Sequence, residues 1–88
     1  MSSADEGASR AGMVRQVVPL IAAVSGYAAE QITPSLLLEG DLMMDSLSLT
    51  ALQCEIEAEF DLECDLAALA EAKSVGDVAQ VVMDAQSA

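Results

Sequence analysis

The sequence predicts an all-α fold, a bundle of four helices, and three observations carry that expectation. Hydrophobic residues make up 53% of the chain, yet Tyr27 and Phe60 are its only aromatics. Leucine, valine, isoleucine, methionine and sixteen alanines supply the rest, a mixture suited to helices packed through small side chains. No sustained run alternates apolar and polar residues with β-branched enrichment, so strand signals are weak. Apolar residues instead recur at helical spacing between stops and caps. With 88 residues the chain holds one domain at most. Its expected bounds are 9–84, with a flexible tail at 1–8 and a short C-terminal tail at 85–88.

The first helix is expected from near Ser9 to Ser25, with Gly26 as its stop. Val14, Val17, Val18, Ile21 and Val24 fall on one face. Pro19 removes one backbone donor inside this helix and points away from the stripe, so a kink is expected there. Residues 27–44 form a long connection containing Thr33-Pro34 and Glu39-Gly40-Asp41. Ile32, Leu36, Leu37, Leu38 and Leu42 imply that it is pinned to the core, since long structureless loops are uncommon in small domains. A short helical turn over Pro34 to Leu38, capped by Thr33, is expected within it. The second helix begins after Asp45 as N-cap and carries the stripe Leu49, Leu52, Ile56 and Phe60, with Glu55 and Glu59 on solvated faces. The alternation over 61–65 is too short to demand a strand. Leu66 to Ala72 predicts a short third helix. Ser74-Val75-Gly76-Asp77 has the form of a capping box with Asp in place of Glu, and Val75, Val78, Ala79 and Val82 make the core face of a last helix. The bundle therefore consists of three longer helices and one short one, with a long loop between the first two.

Charge narrows the function. Fifteen acids against three bases give a net charge of -12, and the bases, Arg10, Arg15 and Lys73, lie towards the two ends. Between Glu30 and Glu71 there are eleven acids and no base. Such a surface repels nucleic-acid phosphates and anionic lipid, and attracts partners that carry Arg and Lys patches. It equally serves to keep a small, apolar-rich chain soluble. No apolar stretch approaches the roughly 20 residues that span a bilayer. Residues 1–9 lack the basic start and apolar run of a secretory signal, so a soluble, cytoplasmic monomer is expected. Cys54 and Cys64 are too few for a disulfide scaffold, and with no His a zinc site is not expected either. Cys54, inside the second helix, is expected to be a small buried apolar residue.

The nucleophile inventory excludes most catalysis. Without His, neither a Ser-His nor a Cys-His pair can be built, and no Ser-x-x-Lys motif replaces it. Asp41, Asp45 and Glu57 do not match a calcium loop, because Met43, Leu47 and Leu49 stand where oxygen ligands belong. There is no phosphate-binding Gly-rich loop. No metal-ligating or catalytic residue is nominated, and an enzyme acting by itself is not expected. One segment stands apart: Asp41-Leu42-Met43-Met44-Asp45-Ser46-Leu47. It places the Ser46 hydroxyl in the first turn of a helix, directly after a long loop. A helix N-terminus offers free amides and the positive end of the dipole, so a phosphodiester attached there is electrostatically favoured. On those residues alone, Asp45 and Ser46 read first as ordinary cap residues.

The ordered set Asp45-Ser46-Leu47, then Leu52, Ile56, Glu57, Glu59 and Phe60, then Ser74-Val75-Gly76-Asp77-Val78 resembles the acyl carrier proteins from about Arg10 to Val82. The resemblance implies a four-helix acyl-carrier-like bundle in which Ser46 is the attachment site of 4'-phosphopantetheine. It also implies that the second helix is the recognition surface, enlisting Asp45, Leu47, Glu55, Glu57 and Glu59. Two departures stand out. The family usually has Gly where this chain has Met43, followed here by Met44, and it often has acids early in the second helix where this chain has Ser48 and Ala51. Met44, Leu47 and Ala51 are therefore expected to form a partly apolar contact patch beside the arm.

As the resemblance implies, a phosphopantetheinyl transferase, with coenzyme A as donor and magnesium, modifies Ser46. An acyltransferase or synthetase then loads the arm, and a ketosynthase or other pathway enzyme uses the thioester. The chain itself is a non-catalytic carrier. A free-standing carrier in polyketide or related natural-product biosynthesis is the leading expectation. A fatty-acid carrier and an aminoacyl or peptidyl carrier stay open. From a different class, so does an acidic helical interaction module without any prosthetic group.

Overall fold

A computed structural model describes the backbone of residues 2–87 and the side chains of residues 10–87. Four α-helices follow one another: α1 (Ser2–Ser25), α2 (Ser46–Phe60), α3 (Leu66–Glu71) and α4 (Val75–Ser87), with one 3-10 turn at Ala29–Gln31. The all-α bundle of three longer helices and one short one is thus the architecture found. α1 packs against both α2 and α4, and α3 bridges α2 to α4. The apolar stripes converge on one core: Val17 and Ile21 of α1, Leu52 and Ile56 of α2, Leu69 of α3, and Val75, Val78 and Val82 of α4 are fully buried. Each such side chain contributes about 1.5–3 kcal/mol relative to an exposed one. In α1 the buried face also takes in Met13 and Leu20, while Val14, Val18 and Val24 are only partly covered. Pro19 lies on the exposed side of a helix that continues through it.

The helix ends follow local chemistry. Gly26 takes φ +83°, a backbone that glycine adopts without steric cost, and its N–H donates to the Ala22 carbonyl at 2.9 Å, closing α1. The Asp65 carboxylate caps α3 by accepting from the Ala67 N–H at 3.0 Å. At the start of α4 the capping box is complete. Ser74 Oγ accepts from the Asp77 N–H at 3.2 Å, and Asp77 Oδ2 accepts from the N–H groups of Lys73 and Ser74, each at 3.1 Å. A residue one atom shorter than Glu does the same work.

Three boundaries differ from expectation. α1 begins at Ser2 rather than near Ser9, since no proline stands before Ser9 to break the backbone ladder; residues 2–8 are helical, and Met1 lies outside the described residues. α4 runs on to Ser87, whose hydroxyl donates to the Met83 carbonyl, so residues 85–87 continue the helix, while Ala88 lies outside the described residues. The short helical turn sits at Ala29–Gln31, not at Pro34 to Leu38. There Gln31 Oε1 accepts from the Ala28 N–H at 3.2 Å. Residues 33–36 instead form a turn in which the Leu36 N–H donates to the Thr33 carbonyl, and Leu37 forms an isolated antiparallel bridge with Ser74. A segment whose backbone pairs with a distant strand-like partner cannot also close helical hydrogen bonds.

Two amide donors hold the Asp77 carboxyl below its ordinary value, first the Lys73 N–H and then that of Ser74, with Arg10 adding a smaller pull. A carboxyl depressed on folding stabilises the protein fully above its unfolded pKa, and that stabilisation is lost as pH falls through the folded value. Ser74→Ala should lower stability by about 1 kcal/mol in urea unfolding at neutral pH. Asp77→Asn should flatten the loss of stability below about pH 4. An acid limb equally steep in Asp77→Asn and wild type would show that this carboxylate does not contribute.

Candidate functional site

Between Gly26 and Asp45 the chain must cross the end of the bundle and deliver α2 at a fixed point. Leu42 and Met44 are both buried, at 3% and 4% exposure, and Met43 between them is turned out at 79%. Two anchors spaced by one residue leave Met43 little choice of backbone, and it takes the left-handed conformation at φ +55°. Hydrogen bonds fix the same stretch. The Leu37 carbonyl accepts from the Asp41 and Leu42 N–H groups at 3.0 Å each, and the Leu38 carbonyl accepts from the Met44 N–H at 2.9 Å. Asp41 Oδ2 accepts from the Leu37 N–H at 2.8 Å.

Asp45 then caps α2 from an extended backbone, with Oδ1 accepting from the Ser48 N–H at 2.9 Å. That amide is the main reason the Asp45 carboxyl lies below its ordinary value, with the Ser48 side chain adding to it. Ser46 is the first residue of α2 and is exposed. Its carbonyl accepts from Thr50 Oγ1 at 2.9 Å, a bond within the first turn of the helix. Near this helix start the loop, α2 and the end of α3 form an open recess of about 280 Å³, lined by Leu37, Leu38, Met44 and Leu49 and by the charged side chains of Glu39 and Lys73.

The family model described as the phosphopantetheine attachment site matches residues 15–82. This chain belongs to that family. Its members carry 4'-phosphopantetheine covalently attached, are in general non-catalytic, and are served by a phosphopantetheinyl transferase and biosynthetic enzymes. No curated protein matches the chain. Among solved structures it is similar to the apo doublet acyl carrier protein from prodigiosin biosynthesis, with a TM-score of 0.71 at 18% identity over 86% of this chain. At that identity the likeness is one of fold, and this chain spans 37% of that protein's length.

Within this attachment-site domain the other expected contact residues are distributed unevenly. Asp45, Leu47, Glu55 and Glu59 are exposed, Leu47 at 79%. Leu47, Ala51 and Glu55 follow one another at four-residue spacing and line a shallow groove with Ala23 and Val24 of α1. Met44, expected in the apolar patch, is a core residue instead, and the methionine that reaches solvent is Met43. Glu57, expected beside Glu55 and Glu59, is half-buried, and its Oε2 accepts from the Cys64 N–H at 2.9 Å. Gln53 Nε2 donates to the Cys64 carbonyl at 2.6 Å, so both backbone groups of Cys64 are held. Cys54 does not take its expected buried place. Cys54 sits two residues from both Leu52 and Ile56, opposite the core face, and is exposed. Cys64 is buried, and burial first, then the charges of Glu57 and Asp65, pushes its thiol up. Among the described residues no cluster of three or more His, Cys, Asp or Glu is placed to hold a metal ion, and no helix is long and apolar enough to cross a membrane.

Met43 was the residue the sequence concealed. Its signal was the in-out-in pattern Leu42-Met43-Met44, together with its standing where the family usually has Gly. A β-carbon in the left-handed region costs about 1–2 kcal/mol, which the greater chain entropy of an unfolded glycine partly offsets. Met43→Gly should therefore raise stability by about 0.5–1 kcal/mol, read as a higher urea midpoint. A lower midpoint would show that Met43 contributes packing that its exposure does not reveal.

Proposed function

We propose that Ser46 carries the 4'-phosphopantetheine arm and that this chain tethers acyl intermediates as thioesters in polyketide or related natural-product biosynthesis, in the cytoplasm and as a monomer. The observation that carries the reading is an exposed hydroxyl at the first residue of α2, held there by the Asp45 cap and the buried anchors Leu42 and Met44. The residues fit the group. The hydroxyl is uncovered on the outer side of the bundle, and the helix start favours a negatively charged ester. Asp45, whose own charge opposes a phosphate, is turned to the Ser48 amide.

The modification balances as a phosphoryl transfer. Ser46 Oγ forms the new P–O bond to coenzyme A, the pyrophosphate P–O bond breaks, and adenosine 3',5'-bisphosphate leaves. The hydroxyl proton passes to a base of the transferase, because this chain has no His and the adjacent Asp45 carboxylate accepts from the Ser48 amide. The thiol of the arm supplies the thioester that holds the cargo. The chain itself then contributes an address and a tether, raising the effective concentration of the cargo at each docked active site. An acyltransferase or synthetase and a ketosynthase are the partners that load and use it.

The prodigiosin-pathway protein supports natural-product assembly over fatty-acid synthesis as the setting. A role as an acidic interaction module without a prosthetic group gives way to the family match over residues 15–82.

Incubation with coenzyme A and a broad-specificity phosphopantetheinyl transferase should add one phosphopantetheine, seen by intact mass. Ser46→Ala should stay folded, within about 1 kcal/mol of wild type because Asp45 is the cap, and should gain nothing. Ser48→Ala should still be modified. Modification of the Ser46→Ala protein would move the site elsewhere.

A further inference from the structure

We propose that Met43 is a contact residue for the phosphopantetheinyl transferase that modifies Ser46, seated together with Leu47 in an apolar recess of that enzyme whose rim is cationic. The inference rests on the reading of Ser46 as the attachment site. Its first support is a strain without a return. Met43 holds φ +55°, a backbone that Gly would adopt freely, yet its side chain is 79% exposed and gains little from the folded chain. A side chain kept at a strained position and left in water gains its contacts in a complex.

Placement is the second support. Among the described residues the large apolar side chains that are exposed are Tyr27, Leu37, Leu66, Met43 and Leu47; the first three lie at 37–46%, and the last two at 79%. Those two flank Ser46, three residues before it and one after. Methionine adapts its shape readily and suits an enzyme surface not built for this chain alone.

Charge identifies the occupant. From Ser46 to Cys54 α2 carries no acid, so this stretch of the helix is uncharged and the apolar surface beside the hydroxyl comes from Met43 and Leu47. Exposed acids ring it: Glu39, Asp41 and Asp45 on the loop side, Glu55 further along α2. The transferase must bind the pyrophosphate and phosphate groups of coenzyme A, which requires cationic groups at the mouth of its active site. An apolar centre within an acidic ring complements an apolar recess within a cationic rim, the arrangement in which desolvated central anchors carry most of the affinity. A second copy of this chain, at a net charge of -12, meets the same ring with repulsion.

The test uses the full-length apo chain, coenzyme A and a broad-specificity phosphopantetheinyl transferase, with initial rates measured against carrier concentration. Met43→Asn keeps a residue tolerant of the left-handed backbone but removes the apolar surface, Met43→Gly removes both strain and surface, and Met43→Leu restores apolarity. Expected is a rise in KM of about tenfold for Met43→Asn and Met43→Gly with kcat unchanged, although both fold at least as stably as wild type. Met43→Leu should return to near the wild-type KM. That split between stability and KM is one that a purely structural role does not produce. Unchanged KM in both the Asn and Gly variants would overturn the proposal. So would a concentration-dependent mass in sedimentation that Met43→Asn abolishes, since the patch would then be a self-association surface. If wild type itself accepts no phosphopantetheine, it is the Ser46 reading that fails, and this inference falls with it.

Discussion

Backbone pairing between the long loop and the α3–α4 junction is the constraint on which the position of Ser46 depends. The Leu38 N–H donates to the Lys73 carbonyl at 2.9 Å, the Val75 N–H to the Leu36 carbonyl at 3.0 Å, and the Gly76 N–H to the Pro34 carbonyl at 2.9 Å. Those three bonds fix the middle of a connection that otherwise has only its ends defined. From there Leu37 and Leu38 pass the constraint on, by accepting from Asp41, Leu42 and Met44, and Ser46 follows two residues later. Gly76 permits the approach: a β-carbon there would lie 3.3 Å from the Pro34 carbonyl oxygen and 3.2 Å from Arg10 Nη2. Arg10 closes the arrangement from α1, donating to Gln80 Oε1 at 2.6 Å and to the Gly76 carbonyl at 3.3 Å.

A chain so rich in acids and so poor in bases cannot neutralise itself by ion pairing, and it uses backbone amides instead. Asp41, Asp45, Glu57, Asp65 and Asp77 each accept from at least one N–H, at Leu37, Ser48, Cys64, Ala67, and Lys73 with Ser74 respectively. Four of these close a turn or start a helix, and the fifth, at Glu57, ties the segment after α2 back onto that helix. Charged acceptors make stronger hydrogen bonds than neutral ones, which suits short helices such as α3. Among the described residues the buried set contains no charged or polar side chain, so the remaining acids repel one another through solvent, where salt screens them over about 10 Å at 0.1 M.

What the sequence disclosed and what it hid divide along the range of the interactions. Caps and stops act within a few residues. Asp45, Ser74 with Asp77, and Gly26 were legible for that reason, as were the stripes of α2 and α4. The loop partners are not local: Leu38 and Lys73 are thirty-five residues apart, and no residue type marks either as a partner. Without that pairing, Pro34 to Leu38 has the composition of a helical turn. The burial of Met44 and the exposure of Cys54 have a similar origin. Hydrophobicity alone ranks Met44 with Met43 and Cys54 with Cys64, and only the tertiary direction of the chain assigns one of each to the core. Glu57 was counted with its neighbours because helical spacing locates a face but not the loop that folds back onto it. The placement of Ser46 at an exposed helix start was legible, and the outward turn of Met43 beside it was not.

Native-state hydrogen exchange resolved at single amides tests most directly whether the loop is a strut that holds Ser46 in place. The Leu38, Met44, Val75 and Gly76 amides should be protected and should open together, with protection approaching that of Leu52 and Ile56 in the centre of α2. Free exchange at those four amides, with α1 and α2 still protected, would contradict the account: the loop would then be loosely attached, and the helix start at Ser46 would owe its position to α2 alone.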